Sequence, residues 1–352
     1  MDKTIASKHL SEISATKGIL ITLMVIGHSG APQHLVDCIY LFHIPCFFFI
    51  SGYLFKEEYL NQIKTFVIRR LKKLYIPFVK WSFIFLIFHN ILYHLNIYNN
   101  SYDFNEFKNK VFSVFTMTGS EQLLGGFWFL KELLYTSLIS LFIFKTITLV
   151  KKKLTIDSLI FTSLSFVIIT FIYSNSTFRI PAIGSKTLLA TSFFIAGKVF
   201  HKADMITRIK NKPLYGLIFS VILIMSSFYT KGSMDASGTL IFPFFIIAII
   251  GSLATIYLST LIPKIVKTMD YIGKNTLYIL TFHFISFKIV SFLILTYCDR
   301  PITELSSFPV IPNSGSFYWI LYTIVGVAVP LGIKYVIDKC HFVLHCKRNA
   351  NK

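Results

Sequence analysis

Long apolar runs, one after another with little polar chain between them, constrain this sequence more than any other feature. A helix needs roughly 17–25 apolar residues to cross a bilayer. Ten such stretches can be drawn, near 18–35, 36–55, 74–96, 127–149, 156–174, 187–201, 214–230, 239–262, 276–297 and 316–337. In hydrocarbon every backbone amide has to find its partner inside the protein, so runs of this kind are helices. Composition agrees: 37 of the 352 residues are Phe and only 14% are charged, against about 25% charged in soluble domains. The expected fold is an all-α integral membrane protein, a polytopic bundle of about ten transmembrane helices forming one transmembrane domain over 1–352. The least apolar of the ten is 187–201, which is short and carries Lys198.

A formal charge of +19 would suggest nucleic acid in a soluble chain. In a membrane protein it has a simpler origin, because Lys and Arg collect in loops at the cytosolic leaflet, against anionic lipid. Assigning alternate connections to opposite sides gives 25 Lys and Arg on one side and 6 on the other. The crowded side reads as cytosolic, with both termini on it and the polar 97–126 connection outside. Cys38, Cys46, Cys298, Cys340 and Cys346 have no metal-ligand spacing, and their odd, scattered number argues against a disulfide framework. No metal is expected. The opening MDKTIASKHLSEISATKG is polar for too long to be a cleaved signal peptide, so the first apolar span is expected to stay in the protein.

Ionisable side chains inside apolar spans are expensive and usually face a bundle interior or a pathway. His28, His43, His89, Lys131, Glu132 and His283 are the informative ones, while Lys80, Lys145 and Lys288 stand near enough to span ends to snorkel. In TKGILITLMVIGHSG, Lys17 precedes His28 by eleven residues, about 16 Å of rise and about 20° of net rotation on a helix. The two therefore share a face, lysine at the membrane boundary and histidine deep within. An elongated ligand with an anionic head and a reactive end could touch both. Neutral imidazole is the usual general base near neutral pH.

The second span, YLFHIPCFFFISGYLFK, has His43 and Pro45 in its middle and the small pair Ser51 and Gly52 beyond. A hairpin tip near 35–36 brings His28 and His43 to one depth. The plain alternative for each histidine is a structural hydrogen bond to a neighbouring helix. RRLKKLYIPF (69–78) carries Arg69 and Arg70, suited to lipid phosphates and also to cofactor phosphates. GFWFLKELLY (126–135) sets Trp128 at the outer interface, with Lys131 and Glu132 one turn deeper, where they can pair. GKNTLYILTFHF (273–284) sets His283 about two turns into the ninth span.

KGILITLMVIGH, FHIPCFFFISGYLF, RRLKKLYIPF, GFWFL and GKNTLYILTFH, in that order, resemble the membrane-bound acyltransferase-3 family and, within it, the fucose 4-O-acetylase-like group. The resemblance runs from about 12 to 340. Its most specific parts are a basic residue and a histidine with ten residues between them and the FHIPxFFFISGYLF stretch. It implies acyl transfer, usually of acetyl, from cytosolic acetyl-CoA or another acyl-CoA to a hydroxyl of a cell-surface polysaccharide or its lipid-linked precursor, in the inner or plasma membrane of a bacterium. Lys17 stands where the family often has Arg, keeping the charge but losing bidentate phosphate geometry. His28 and His43 match the family's two histidines.

Both readings converge on one mechanism. Lys17, with Arg69 or Arg70, holds the CoA phosphates. His28 deprotonates the acceptor hydroxyl or transiently carries the acyl group, and His43 orients His28 or stabilises the developing charge. Trp128, Glu132 and His283 are substrate-side candidates. A transporter or exporter of a glycan or small metabolite is the other class to weigh, since intramembrane His, Lys and Glu also suit a proton-coupled pathway. Against it stands the lack of the internal repeat that many transporters show.

Overall fold

In the computed structural model the described residues are 3–236, 238–261, 263–312 and 317–350. Lys352 lies outside them, and so do the side chains of Lys3, Lys8, Lys264, Cys346, Lys347 and Arg348. Among the described residues the chain is helical, with short turns and no strand. Helix α1 (Lys3–His28) stops where Ser29 and Gly30 turn the chain, Gly30 at φ +79°, a conformation that costs little only without a Cβ. Helices α2 (Gln33–Tyr40) and α3 (His43–Tyr53) return. Helix α4 (Ile63–Arg70) passes through a π turn, Leu71–Tyr75, into α5 (Ile76–His94). After α6 (Phe104–Phe115), a 3-10 segment, Gln122–Phe127, leads to α7 (Trp128–Lys151). The rest are α8 (Ile156–Asn175), α9 (Ser185–Lys202), α10 (Met205–Arg208), α11 (Lys212–Tyr229), α12 (Ile241–Leu258), α13 (Pro263–Lys274), α14 (Thr276–Tyr297) and α15 (Tyr318–Ala350).

Nine stretches among the described residues are long and apolar enough to cross a membrane. The architecture is the expected all-α polytopic bundle. Helix α9, which covers the expected 187–201 span, is not one of the nine, and its surroundings explain why. Every residue from 187 to 199 is buried, so α9 is sheathed by protein and needs no lipid-compatible surface. Its Lys198 ammonium donates to the Phe55 carbonyl at 3.1 Å and pairs with Glu57 at 3.3 Å.

Glycines set the closest helix contacts. A Cβ on Gly52 would run into the Phe194 carbonyl, and one on Gly197 into the Phe49 carbonyl, so α3 and α9 touch backbone to backbone. Gly18 and Gly273 do the same for α1 and α13, against the Met269 and Ser14 carbonyls. Small residues at such contacts are how helices associate where the hydrophobic effect gives no preference.

The connection between α5 and α7 is held by a buried knot. His89, 2% exposed, sets Nδ1 2.6 Å from Glu121 and Nε2 2.9 Å from the Asn100 carbonyl, between the stacked rings of Tyr98 and Tyr102. The ring thereby bridges Glu121 and the Asn100 carbonyl inside the fold. Burial, then the Glu121 charge, pushes the Tyr98 and Tyr102 hydroxyls up, which keeps both phenols neutral. Breaking one side of a buried pair costs about 3–5 kcal/mol. His89→Ala is therefore expected to lower the unfolding midpoint in detergent clearly, with Glu121→Gln milder because the amide still accepts. An unchanged midpoint in His89→Ala would mean the knot contributes nothing.

Lys288 departs from the snorkelling expectation. It is 4% exposed and donates to the Leu305 and Ser307 carbonyls at 2.8 and 2.6 Å. The loop after α14 folds back over the helix and offers carbonyls closer than any headgroup.

Candidate functional site

Lys17, Ile21, Met24 and His28 follow one another at helical spacing along α1, and all four line one cavity of about 360 Å³. The shared face expected from spacing is present. The turn falls earlier than expected, because α1 ends at His28 and the chain turns at Ser29 and Gly30 rather than near 35–36. His28 is thus the last residue of its helix, and it lines the same cavity as His43.

The second span is broken where the sequence suggested one helix. Pro45 has no N–H, and its ring excludes a helical carbonyl four residues earlier, so α2 stops at Tyr40 and α3 begins at His43. At the break the Ile39 carbonyl accepts the Phe42 N–H at 3.2 Å, and His43 Nδ1 donates to the same oxygen at 2.8 Å. With that proton fixed on Nδ1, the neutral ring keeps its lone pair on Nε2, and the ring lies on the cavity wall. Tyr40 stands between the two histidines, its ring 6.3 Å from that of His28 and 5.3 Å from that of His43. Nothing in the apolar pattern marked Tyr40.

Two cations reach the cavity at one end, Lys17 and Lys73. Lys73 and Arg70 both stand close enough to Lys17 to repel its charge, and no ion pair neutralises any of the three among the described residues. Lys73 comes from the π turn, where one extra residue per turn rotates the chain beyond it relative to α4. The two arginines both precede that turn and diverge because neighbouring helical residues point about 100° apart. Arg70 lies over the Phe66 ring beside the cluster, whereas exposed Arg69 turns away and donates to the Tyr59 hydroxyl at 2.8 Å. Thr276 and Leu277, the first turn of α14, complete this end.

At the other end Trp128 lines the cavity with Lys186, Ser233 and Asp235. The Lys186 ammonium sits 5.2 Å from the Trp128 ring centroid and 3.4 Å from Asp235. Lys186 and Asp235 also border an open polar recess of about 410 Å³ that includes Lys131, Glu132 and Arg179. The expected Lys131–Glu132 pairing is not made: Glu132 accepts from the Thr187 hydroxyl at 2.5 Å, and Lys131 lies over Tyr135. Glu132 belongs to the recess and not to the cavity wall. His283 is off the wall as well, fully buried behind His28 with ring centroids 5.8 Å apart.

One cavity therefore carries a cationic end, a pair of imidazoles and an aromatic end. Such a wall can hold a phosphate-bearing donor, move a proton at its middle and receive a polar acceptor opposite. No curated protein and no solved structure matches the chain. A profile of the acyltransferase-3 family, described as an acyltransferase domain, matches residues 10–335, and the chain belongs to that family: it is a multi-pass membrane acyltransferase.

Proposed function

We propose that the protein takes an acyl group, acetyl in the simplest case, from cytosolic acyl-CoA and transfers it to a hydroxyl of a cell-surface polysaccharide or its lipid-linked precursor, across a bacterial plasma membrane. The observation that carries the reading is the shared cavity, with Lys17 and Lys73 at one end, His28 and His43 between, and Trp128 at the other. Lys17 and Lys73, with Arg70 behind them, suit the phosphates of the nucleotide half. The run from Lys17 to His28, about 16 Å on a helix, suits an extended thiol arm that brings a thioester to the histidines. Trp128 and Lys186 suit a sugar, which stacks on an aromatic face while its hydroxyls meet charged groups.

His28 takes the proton of the acceptor hydroxyl as that oxygen forms a bond to the thioester carbonyl carbon. The carbon–sulfur bond breaks, and the departing thiolate recovers the proton from the His28 imidazolium. His43, its Nδ1 proton fixed on Ile39, either serves as a second base through Nε2 or holds the incoming hydroxyl. A sequence in which the acyl group rests briefly on a histidine nitrogen uses the same atoms.

Purified protein in detergent should release CoA thiol from acetyl-CoA, faster when methyl glycosides are added, and should pass radiolabelled acetyl to the glycoside. No thioester consumption, with solute uptake into liposomes instead, would favour transport. The two-sided geometry also makes a topological prediction. Single cysteines at 56–73, 151–155 and 198–212 should label from the cytosol, and those at 97–126 only from outside. Labelling of 97–126 solely from the cytosol would reverse the cavity's orientation and rule out a cytosolic donor at Lys17.

A further inference from the structure

His283 has a polar atom with nowhere to go. It is 0% exposed, and its Nδ1 lies 3.0 and 3.1 Å from the Ile279 and Leu280 carbonyls. Both are acceptors, so Nδ1 carries the proton and Nε2 keeps a lone pair. That Nε2 has no partner, and its neighbours are the rings of Phe284 and Phe287 and the backbone at Gly126. A buried acceptor without a donor costs about 1–3 kcal/mol, and persists in a folded protein only with a reason. Of the rings packed against His283, that of His28 is the polar one, 5.8 Å away between centroids. His28 itself makes no ring hydrogen bond among the described residues. Two hydrogen-bonded imidazoles have centroids about 5 Å apart, so a small turn of His28 closes the gap.

We infer that His283 is a positioning residue for His28, accepting a hydrogen bond from one His28 nitrogen through Nε2 so that the other His28 nitrogen presents its lone pair to the acceptor hydroxyl. This rests on His28 being the base. An imidazole with one nitrogen held as a donor must offer the other as an acceptor, and the tautomer question is settled before substrate arrives. When His28 becomes an imidazolium, the same bond shares its charge without needing a carboxylate, the partner that fills this place in serine hydrolase triads. Gly126 keeps the arrangement compact. A Cβ there would lie 2.7 Å from Leu280 and 3.9 Å from the His283 ring, so a side chain would press on the helix segment that carries the histidine.

The test compares His283→Phe with His283→Gln in the full-length protein, using acetyl-CoA and a methyl glycoside. Phe keeps the ring volume and removes Nε2; Gln can bring its side-chain oxygen to the same place. His283→Phe should lower kcat about 10–100-fold, a usual cost of losing a group that orients another, with KM for acetyl-CoA unchanged. Its unfolding midpoint should hold or rise, because an orphaned polar atom has left an apolar shell. His283→Gln should recover most of the loss, and His283→Phe should add nothing to His28→Ala, since the two act as one unit. Wild-type turnover in His283→Phe, equal losses in Phe and Gln, or a change confined to KM would each overturn the inference. Those results leave the base assignment standing if His28→Ala is still inactive; full turnover in His28→Ala would remove both.

Discussion

Replacing His28 with Ala should abolish acyl transfer while leaving acyl-CoA binding close to normal. The cations that suit the donor's phosphates lie at one end of the cavity and His28 lies in its middle, so truncating the ring takes nothing from the binding end. What is lost is proton transfer in the transition state, a contribution typically worth 10²–10⁴-fold. The loss should fall on kcat, and kcat/KM should drop with it. His43 lines the same cavity with a free Nε2, so residual turnover in His28→Ala measures how far the second imidazole substitutes. Moving the histidine to position 27 turns it about 100° off the stripe formed with Lys17, Ile21 and Met24, and position 29 lies in the turn beyond the helix, so neither should rescue. Calorimetry for binding and thiol release for turnover separate the two effects. Normal turnover in His28→Ala, on folded protein, would falsify its role as base and leave it as helix packing.

The opposite profile is expected at the cationic end. Lys17→Ala should raise KM for acetyl-CoA about 10–100-fold with little change in kcat, since a hydrogen bond to a charged group is worth about 1.5–3 kcal/mol. Lys17→Arg should recover much of this, because the charge returns on a group that grips phosphate in two places. Lys73→Ala should act in the same direction but more weakly, and its effect should shrink with added salt, for Lys73 is exposed and Lys17 is not. A sharper consequence concerns the empty protein. Lys73 and Arg70 repel the Lys17 charge and no ion pair balances the three among the described residues, so Lys17→Ala should unfold no earlier than the parent and should gain less midpoint on adding CoA. A mutant that both unfolds earlier and binds normally would make Lys17 a structural lysine.

Much of this was legible before any coordinate. Apolar run length gave the all-α bundle, and eleven-residue spacing put Lys17 and His28 on one wall. What the pattern could not carry was backbone irregularity. Pro45 reads as a kink within a span, but only the folded chain reveals that the break orients His43 through Ile39. Lys73 sits in a basic string whose members look equivalent until the π turn sends it into the cavity, while Arg69 stays outside. Lys186 and Asp235 come from distant connections, and no local signal ties them to Trp128. Lys288 looked like a boundary lysine because the carbonyls it meets belong to a loop whose course depends on the finished bundle.

Helix α9 has a consequence for how the molecule is made. A nascent segment enters the bilayer by partitioning out of the insertion channel, a step that favours Leu, Ile and Phe and penalises a central Lys by about 2.5–3.5 kcal/mol. The α9 segment contains Ser, Thr and Lys198 along the stretch that ends up surrounded by neighbours, so it gains little from lipid. Its partners for the glycine contacts and for Lys198, on α3 and the turn after it, are synthesised well before it emerges. Synthesis order thus lets α9 be received by a docking site already in the membrane, and the chain's N-terminal third acts as the template on which the least apolar of its expected spans is threaded home.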